Sequence, residues 1–231
     1  MWLKDSSIGR KLLMSISGLF LVLFLTFHLV MNFAMVFSPE KGGAYDAICG
    51  FLGANWYAVA GTLVLAVGFL VHILYAFILT LQNRKARGNN RYAVTARPKG
   101  VEWASQNMLV LGIIVVLGLG LHGYQFWAKM QLPELAHQFG MCIDENVLSN
   151  AAYGSYHIAQ VFTNPIFVVL YLVWFAAIWF HLTHGFWSAI QTIGWTNLVW
   201  LKRWKTISNI YTTLVCLGFA FMAIWFYFTL Q

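Results

Sequence analysis

Four histidines lie within long apolar stretches of this sequence, and they are the residues best suited to chemistry. His28, His72, His122 and His181 occupy one apolar stretch each. An ionisable side chain inside a membrane is costly unless it is paired or bound to a ligand, so a functional role is the default interpretation. Imidazole nitrogens are common metal ligands, which makes metal binding the first chemistry to consider.

Five apolar stretches must position these histidines, and each is long enough to cross a bilayer, which takes about 20 helical residues. They cover roughly residues 12–37, 56–82, 104–128, 165–187 and 207–230. Only 9% of the 231 residues are charged, whereas about a quarter are charged in a soluble domain. We expect the first stretch to be a retained span, because no small-x-small cleavage site follows it.

The predicted fold is therefore an all-α membrane protein with five transmembrane helices. Residues 1–231 are expected to form a single transmembrane domain, in which four helices make a bundle and the fifth packs beside it. Pro165 is expected in the first turn of the fourth span, where its missing N–H costs little. Residues 153–163 are expected to continue that span or to form a short interfacial helix.

The distribution of charge predicts the orientation of these spans. The N-terminus and the 83–103 and 188–206 loops hold 12 of the 14 Lys and Arg residues, for a net charge of +10. The opposite loops carry −3, so the two sides together give the net charge of +7. The positive-inside rule then places the N-terminus in the cytoplasm and the C-terminus outside.

The depths of the four histidines match in pairs. His28 and His122 lie about nine and six residues from the outer ends of their spans, and His72 and His181 lie at similar distances from the inner ends. At a rise of about 1.5 Å per residue, each pair shares a depth of about 9–14 Å. Two histidines at one depth on different helices can bind a haem iron from opposite sides. The pattern predicts an outer haem b on His28 and His122 and an inner haem b on His72 and His181.

The residue four positions before each candidate ligand lies on the same helical face. It is small in three of the four cases, which is expected to leave space for a porphyrin: Gly68, Gly118 and Ala177, with Phe24 as the exception. Zinc or copper is less favoured, because pairs about 10 Å apart in depth cannot close one tetrahedral site. Interhelical hydrogen bonding is the structural alternative for each histidine alone.

Three further histidines leave alternatives open. His184 lies one turn after His181 and is the main rival for the fourth ligand position. His157 lies near the predicted outer interface and could compete for the outer haem, whereas His137 is expected in solvent.

The cysteines suggest little chemistry of their own. Cys49 and Cys142 both fall in predicted outer loops, where a disulfide is chemically feasible. Cys216 lies in the fifth span, where we expect it to be part of the core. The chain has no C-x-x-C motif, so it is not expected to hold an iron–sulfur centre.

Three segments resemble the cytochrome b subunit of succinate:quinone oxidoreductases, in its single-chain, five-helix, two-haem type. They are Phe27-His28-Leu29-Val30-Met31-Asn32, Val71-His72-Ile73-Leu74-Tyr75-Ala76 and Phe180-His181-Leu182-Thr183-His184-Gly185-Phe186-Trp187-Ser188. The resemblance covers nearly the whole chain. It implies that His28 and His122 bind the distal haem and that His72 and His181 bind the proximal one. It also implies that Ser15 or Ser17 contacts a haem propionate.

The resemblance further implies a membrane anchor for a flavoprotein (FAD) subunit and an iron–sulfur subunit, in a complex of the succinate dehydrogenase or fumarate reductase type that can dimerise. Such subunits sit in the cytoplasmic (inner) membrane and exchange electrons with a quinone, usually menaquinone, while partner subunits perform the dicarboxylate chemistry. The 83–103 loop and the Lys202–Lys205 cluster are the candidate docking surfaces. One departure is Trp179, since some members carry at this position a glutamate proposed for proton transfer.

Two other functions compete with this interpretation. A dihaem cytochrome b of a formate dehydrogenase or hydrogenase usually has four spans, so the fifth span argues against it. A haem-free transporter or anchor with histidine proton relays would need charged partners within the spans, and residues 104–128 and 165–187 contain no Asp, Glu, Lys or Arg. The sequence does not assign the quinone site, although Asp46 lies on the outer side.

Overall fold

The computed structural model describes residues 6–87 and 102–231, and within these ranges it is helical without strands. The helices are α1 (Ser7–Phe37), α2 (Ala44–Ala54), α3 (Trp56–Arg87), α4 (Trp103–Gln106), α5 (Met108–His122), a π-helical turn (Gly123–Trp127), α6 (Gln131–Gln138), α7 (Glu145–Ala151), α8 (Gly154–Phe162), α9 (Pro165–Thr192) and α10 (Leu198–Thr229). The all-α prediction is confirmed. Among the described residues, five helices are long and apolar enough to cross a membrane: α1, α3, α5 with the π-helical turn, α9 and α10.

The ends of these helices extend beyond the predicted spans because polar residues cap them. α10 begins at Leu198, well before the predicted residue 207, since the Asn197 Oδ1 accepts hydrogen bonds from the backbone N–H groups of Val199 and Trp200 at 3.0 and 2.9 Å. Asparagine is a favoured N-cap residue for this reason. The Lys202–Lys205 cluster therefore lies on a helix, not in the predicted loop.

The fourth span begins at Pro165, as predicted, and continues to Thr192. The Asn164 Oδ1 caps it by accepting a hydrogen bond from the Ile166 N–H at 2.9 Å. Beyond its end, Gly194 adopts a φ of 89°, a left-handed conformation in which any residue with a Cβ would be strained. This turn separates α9 from α10.

The third span is not the single continuous helix that the sequence predicts. It is preceded by the short helix α4 and a break at Asn107, and after His122 it continues as a π-helical turn. The Ala128 N–H donates to the Gly123 carbonyl at 2.8 Å, the longer-range bond that defines this turn. A π turn contains one more residue than an α turn, so the side chains that follow His122 point in new directions.

The connections between spans contain short helices, of which only one was expected. Of the two alternatives for residues 153–163, the structure has the short helix, α8, and not a continuation of the fourth span, while α2, α6 and α7 were not predicted. α7 has a clear capping signal, since the Asp144 carboxylate accepts hydrogen bonds from the Asn146 and Val147 N–H groups.

The described chain divides into two compact units. The first unit combines residues 6–24, 65–87, 102–113 and 178–213, and the second combines residues 25–64, 114–177 and 214–231. His72 and His181 fall in the first unit, and His28 and His122 fall in the second. Each predicted ligand pair therefore lies within one unit. The single-domain assignment and the cytoplasmic N-terminus stay predictions, and Lys4, Asp5, Arg91, Arg97 and Lys99, which entered the charge count, lie outside the described residues.

Candidate functional site

His28 and His122 meet in the second unit. Their ring centres are 5.7 Å apart, and their planes cross at 88°. His28 projects from α1, and His122 is the last residue of α5 before the π-helical turn. Apolar and aromatic side chains surround them, including Phe219 against His28 at 6.0 Å and Phe126 against His122 at 5.0 Å.

His72 and His181 meet in the first unit. Their ring centres are 6.2 Å apart, with planes at 72°. α1 packs closely against the His72 ring at Gly18. A Cβ added at Gly18 would lie only 3.1 Å from the His72 Cε1. The His181 Nδ1 is buried and has no hydrogen-bond partner among the described residues.

The separation within each pair fits two imidazoles that share one metal ion. A metal–nitrogen bond of about 2 Å, with the ring centre about 1 Å behind the nitrogen, places the two ring centres about 6 Å apart. The observed separations are 5.7 and 6.2 Å. The ring-centre separation in each pair therefore matches that of two imidazoles on one metal ion, and a haem iron is a metal that two histidines could hold in this way.

His184, the rival for the fourth ligand position, has other partners. Its Nδ1 lies 3.3 Å from the Glu102 Oε2, and its ring lies 5.0 Å from that of Trp187. Lys205 completes the cluster, with its Nζ 2.8 Å from the Glu102 Oε1. Partial burial opposes ionisation of Glu102, but hydrogen bonds from Lys205 and His184 outweigh it and lower the Glu102 pKa. The structure thus brings His181 into ring contact with His72 and engages His184 elsewhere.

His157 and His137 lie in the predicted outer segments, and their surroundings differ from those of the two histidine pairs. The His157 Nε2 lies 3.1 Å from the Asn150 carbonyl oxygen, and its ring packs on Tyr156. Burial lowers the pKa of His157. His137 is exposed on α6.

The two glycines that lie four positions before candidate ligands, Gly68 and Gly118, contact aromatic rings instead of bordering open space. The Trp174 indole lies directly against Gly118 and donates to the Val115 carbonyl at 3.0 Å. The Phe20 ring likewise lies against Gly68, where an added Cβ would be 2.6 Å from the Phe20 Cε1. A porphyrin lying on Gly118 would have to displace the Trp174 indole. An apolar groove of about 210 Å³ lies beside this indole.

Polar side chains contact the Nδ1 atoms of three of the four candidate ligands. The Asn32 Nδ2 lies 3.3 Å from the His28 Nδ1, and the Tyr45 hydroxyl donates to the Asn32 Oδ1 at 2.9 Å. In the first unit, the Ser17 Oγ lies 3.4 Å from the His72 Nδ1. Of the two serines that the resemblance links to a propionate, Ser17 is therefore next to a candidate ligand. Ser15 is also buried.

Tyr171 and Gln125 contact His122 and were missed by the sequence reasoning. The Tyr171 hydroxyl lies 3.3 Å from the His122 Nδ1 and 2.9 Å from the Gln125 Oε1. A signal was present, because Gln125 is a polar residue three positions after His122 in an otherwise apolar stretch. Tyr171 gave no such signal, since tyrosine is enriched near the ends of membrane spans and Tyr171 lies near the start of α9.

Asp46, which the sequence suggested for quinone binding, is buried and accepts hydrogen bonds from neighbouring segments of the chain. It is 5% exposed. Its Oδ1 accepts from the Ser155 N–H at 2.8 Å, and its Oδ2 accepts from the Ser155 Oγ at 2.6 Å and the Gly42 N–H at 2.8 Å. The carboxylate also lies at the N-terminus of α8, where the helix dipole favours negative charge. Asp46 therefore ties α2 to α8.

Replacing Asp46 by alanine is expected to destabilise the second unit strongly. The Ser155 N–H and hydroxyl would stay buried without an acceptor, which costs on the order of 2–4 kcal/mol. Thermal unfolding of the purified protein in detergent measures the effect. Asp144→Ala is the matched control, because this exposed cap is worth only about 1 kcal/mol. Equal losses in the two variants would contradict the assigned role of Asp46.

All three cysteines are free thiols in the structure, so Cys49 and Cys142 do not form the disulfide that the sequence left open. Cys142 is exposed, whereas Cys49 packs against Gly154. Burial raises the pKa of Cys49 to about 11. Cys216 is buried in α10, in agreement with the expected core position.

The described residues thus hold two imidazole pairs, one in each unit, at spacings that fit axial ligation of haem. Comparison of the chain with protein-family models, with curated proteins and with solved structures gives no match.

Proposed function

We propose that this chain is the dihaem cytochrome b subunit that anchors a succinate dehydrogenase or fumarate reductase complex to the membrane. In this role it transfers electrons between a membrane quinone or quinol, in our proposal menaquinone, and an iron–sulfur subunit. The observation that carries the proposal is the meeting of four apolar-span histidines in two pairs, at ring separations of 5.7 and 6.2 Å. The family resemblance of the segments around His28, His72 and His181 gives the proposal its specific form.

His28 and His122 would hold one haem b, and His72 and His181 would hold the other. Bound haem would supply reversible one-electron transfer at its iron. Other residues of the chain would position the ligating histidines. Gly18 lets α1 approach His72 closely, and Ser17 and Tyr171 contact the Nδ1 atoms of His72 and His122. Such contacts orient ligating imidazoles and tune the metal.

The proposal places the protein in the cytoplasmic (inner) membrane as a multi-pass chain. The His28–His122 pair then lies toward the outer face and the His72–His181 pair toward the inner face, with the basic segments in the cytoplasm. Lys202 and Arg203 are exposed at the start of α10 and would contribute to docking of the iron–sulfur and flavoprotein subunits. Most of the 83–103 loop, the other candidate docking surface, lies outside the described residues.

The experiment that tests this function is reduction of the co-purified complex by defined donors. A menaquinol analogue is expected to produce the reduced b-type α bands directly. Succinate is expected to produce them only when the partner subunits are present. Reduction by formate or hydrogen, with no response to succinate, would favour the other type of respiratory complex and contradict the proposal.

A further inference from the structure

Tyr171 is buried between a candidate haem ligand and a buried glutamine in the second unit. Tyr171 is 3% exposed and Gln125 is 4% exposed. The Tyr171 oxygen lies 3.3 Å from the His122 Nδ1 and 2.9 Å from the Gln125 Oε1. Neither Tyr171 nor Gln125 is one of the candidate ligands, so their contacts need a separate explanation.

The direction of these hydrogen bonds follows from the number of protons available. An amide oxygen only accepts, so Tyr171 donates its single hydroxyl proton to the Gln125 Oε1. The Tyr171 oxygen is then the acceptor toward His122, and the His122 Nδ1 must carry the hydrogen. A neutral imidazole carries one ring hydrogen, so the Nε2 keeps its lone pair.

The local backbone explains how Gln125 reaches this position. His122 ends α5, and the π-helical turn Gly123–Trp127 follows directly. The additional residue in the turn changes the direction of Gln125 relative to a continuous α-helix. π turns of this kind are frequent at functional sites. Tyr171 comes from α9, so the contact joins the third and fourth spans.

We propose that Tyr171, held by Gln125, is a positioning residue that fixes His122 with hydrogen on Nδ1 and the Nε2 lone pair available to the haem iron. The inference rests on the proposed function, because it gives a role to residues around one of the two haem sites. A ligating histidine whose Nδ1–H donates to an acceptor is a more basic ligand. A more basic ligand stabilises ferric over ferrous iron and so lowers the midpoint potential.

Potentiometric titration of both haems in the purified protein tests this role. In Tyr171→Phe, the haem on His28 and His122 is expected to shift to a more positive midpoint potential. A tenfold change in the ferric/ferrous equilibrium constant corresponds to about 59 mV for one electron. The haem on His72 and His181 is expected to be unchanged. Phenylalanine keeps the ring that packs on Trp174 and Phe175 at 5.7 and 5.8 Å, so the fold should be retained.

Two further variants sharpen the test. Gln125→Leu removes the acceptor for the Tyr171 proton and is expected to shift the same haem in the same direction. Tyr211→Phe is the matched control, because the Tyr211 hydroxyl donates to the Val22 carbonyl at 3.1 Å in the first unit. It should leave the potential of the haem on His28 and His122 unchanged.

The outcomes separate this inference from the proposed function. Two bound haems with unchanged potentials in Tyr171→Phe would overturn the inference alone. A shift to more negative potential would also overturn it, because the Tyr171 oxygen would then not be accepting a hydrogen bond that makes His122 a more basic ligand. Absence of haem from the unaltered protein would overturn the proposed function, and the inference with it.

Discussion

Replacing His28 or His122 by alanine is expected to remove one of the two proposed haems and to leave the other in place. The two rings meet at 5.7 Å within the second unit, whereas the other candidate ligands belong to the first unit. Loss of one imidazole would leave the proposed haem with a single protein ligand, so we expect it to be bound much more weakly. The haem content of the purified variants, from the pyridine haemochrome spectrum, measures the loss.

Double variants test the pairing itself. His28→Ala combined with His122→Ala should lose no more haem than either single variant, because both residues serve one site. His28→Ala combined with His72→Ala should lose both haems. The reverse result would show that the histidines pair differently from the structure. His137→Ala is the control, since His137 is exposed on α6 and should not affect haem content.

Replacing His181 by alanine is expected to remove the second haem, whereas replacing His184 should retain it. The ring centres of His181 and His72 lie 6.2 Å apart. His184 instead contacts Glu102, which also pairs with Lys205. Partly exposed ion pairs of this kind are worth about 0–1 kcal/mol, so His184→Ala should lower stability only slightly.

The spectrum and the thermal stability of the two variants should be recorded together. His181→Ala is expected to lose the α band of one haem. His184→Ala is expected to keep both bands with a small decrease in unfolding temperature. Loss of the haem from His184→Ala, with retention in His181→Ala, would reassign the fourth ligand to His184.

Much of the fold could be predicted from the sequence, because the membrane imposes a simple rule on it. A helix that crosses a bilayer needs about 20 apolar residues, and the five stretches are evident from hydropathy alone. The helix ends could not be predicted in the same way. α10 begins at the Asn197 cap and carries Lys202 and Arg203, since hydropathy marks the apolar part of a helix and not its hydrogen-bonded ends.

The candidate ligands could be predicted because an ionisable residue in an apolar span is conspicuous. Their surroundings could not, because they depend on contacts between distant parts of the chain. Tyr171 meets Gln125 across 46 positions of sequence, through a π-helical turn that no simple pattern indicates. The same reason applies at Gly118, where the sequence suggested space for a porphyrin and the structure places the Trp174 indole.

The number of haem b groups per chain in the purified protein tests the central claim most directly. The two imidazole pairs predict two haems, with b-type α bands in the reduced-minus-oxidised spectrum. A folded, monodisperse protein that contains no haem after expression with adequate haem supply would contradict the account.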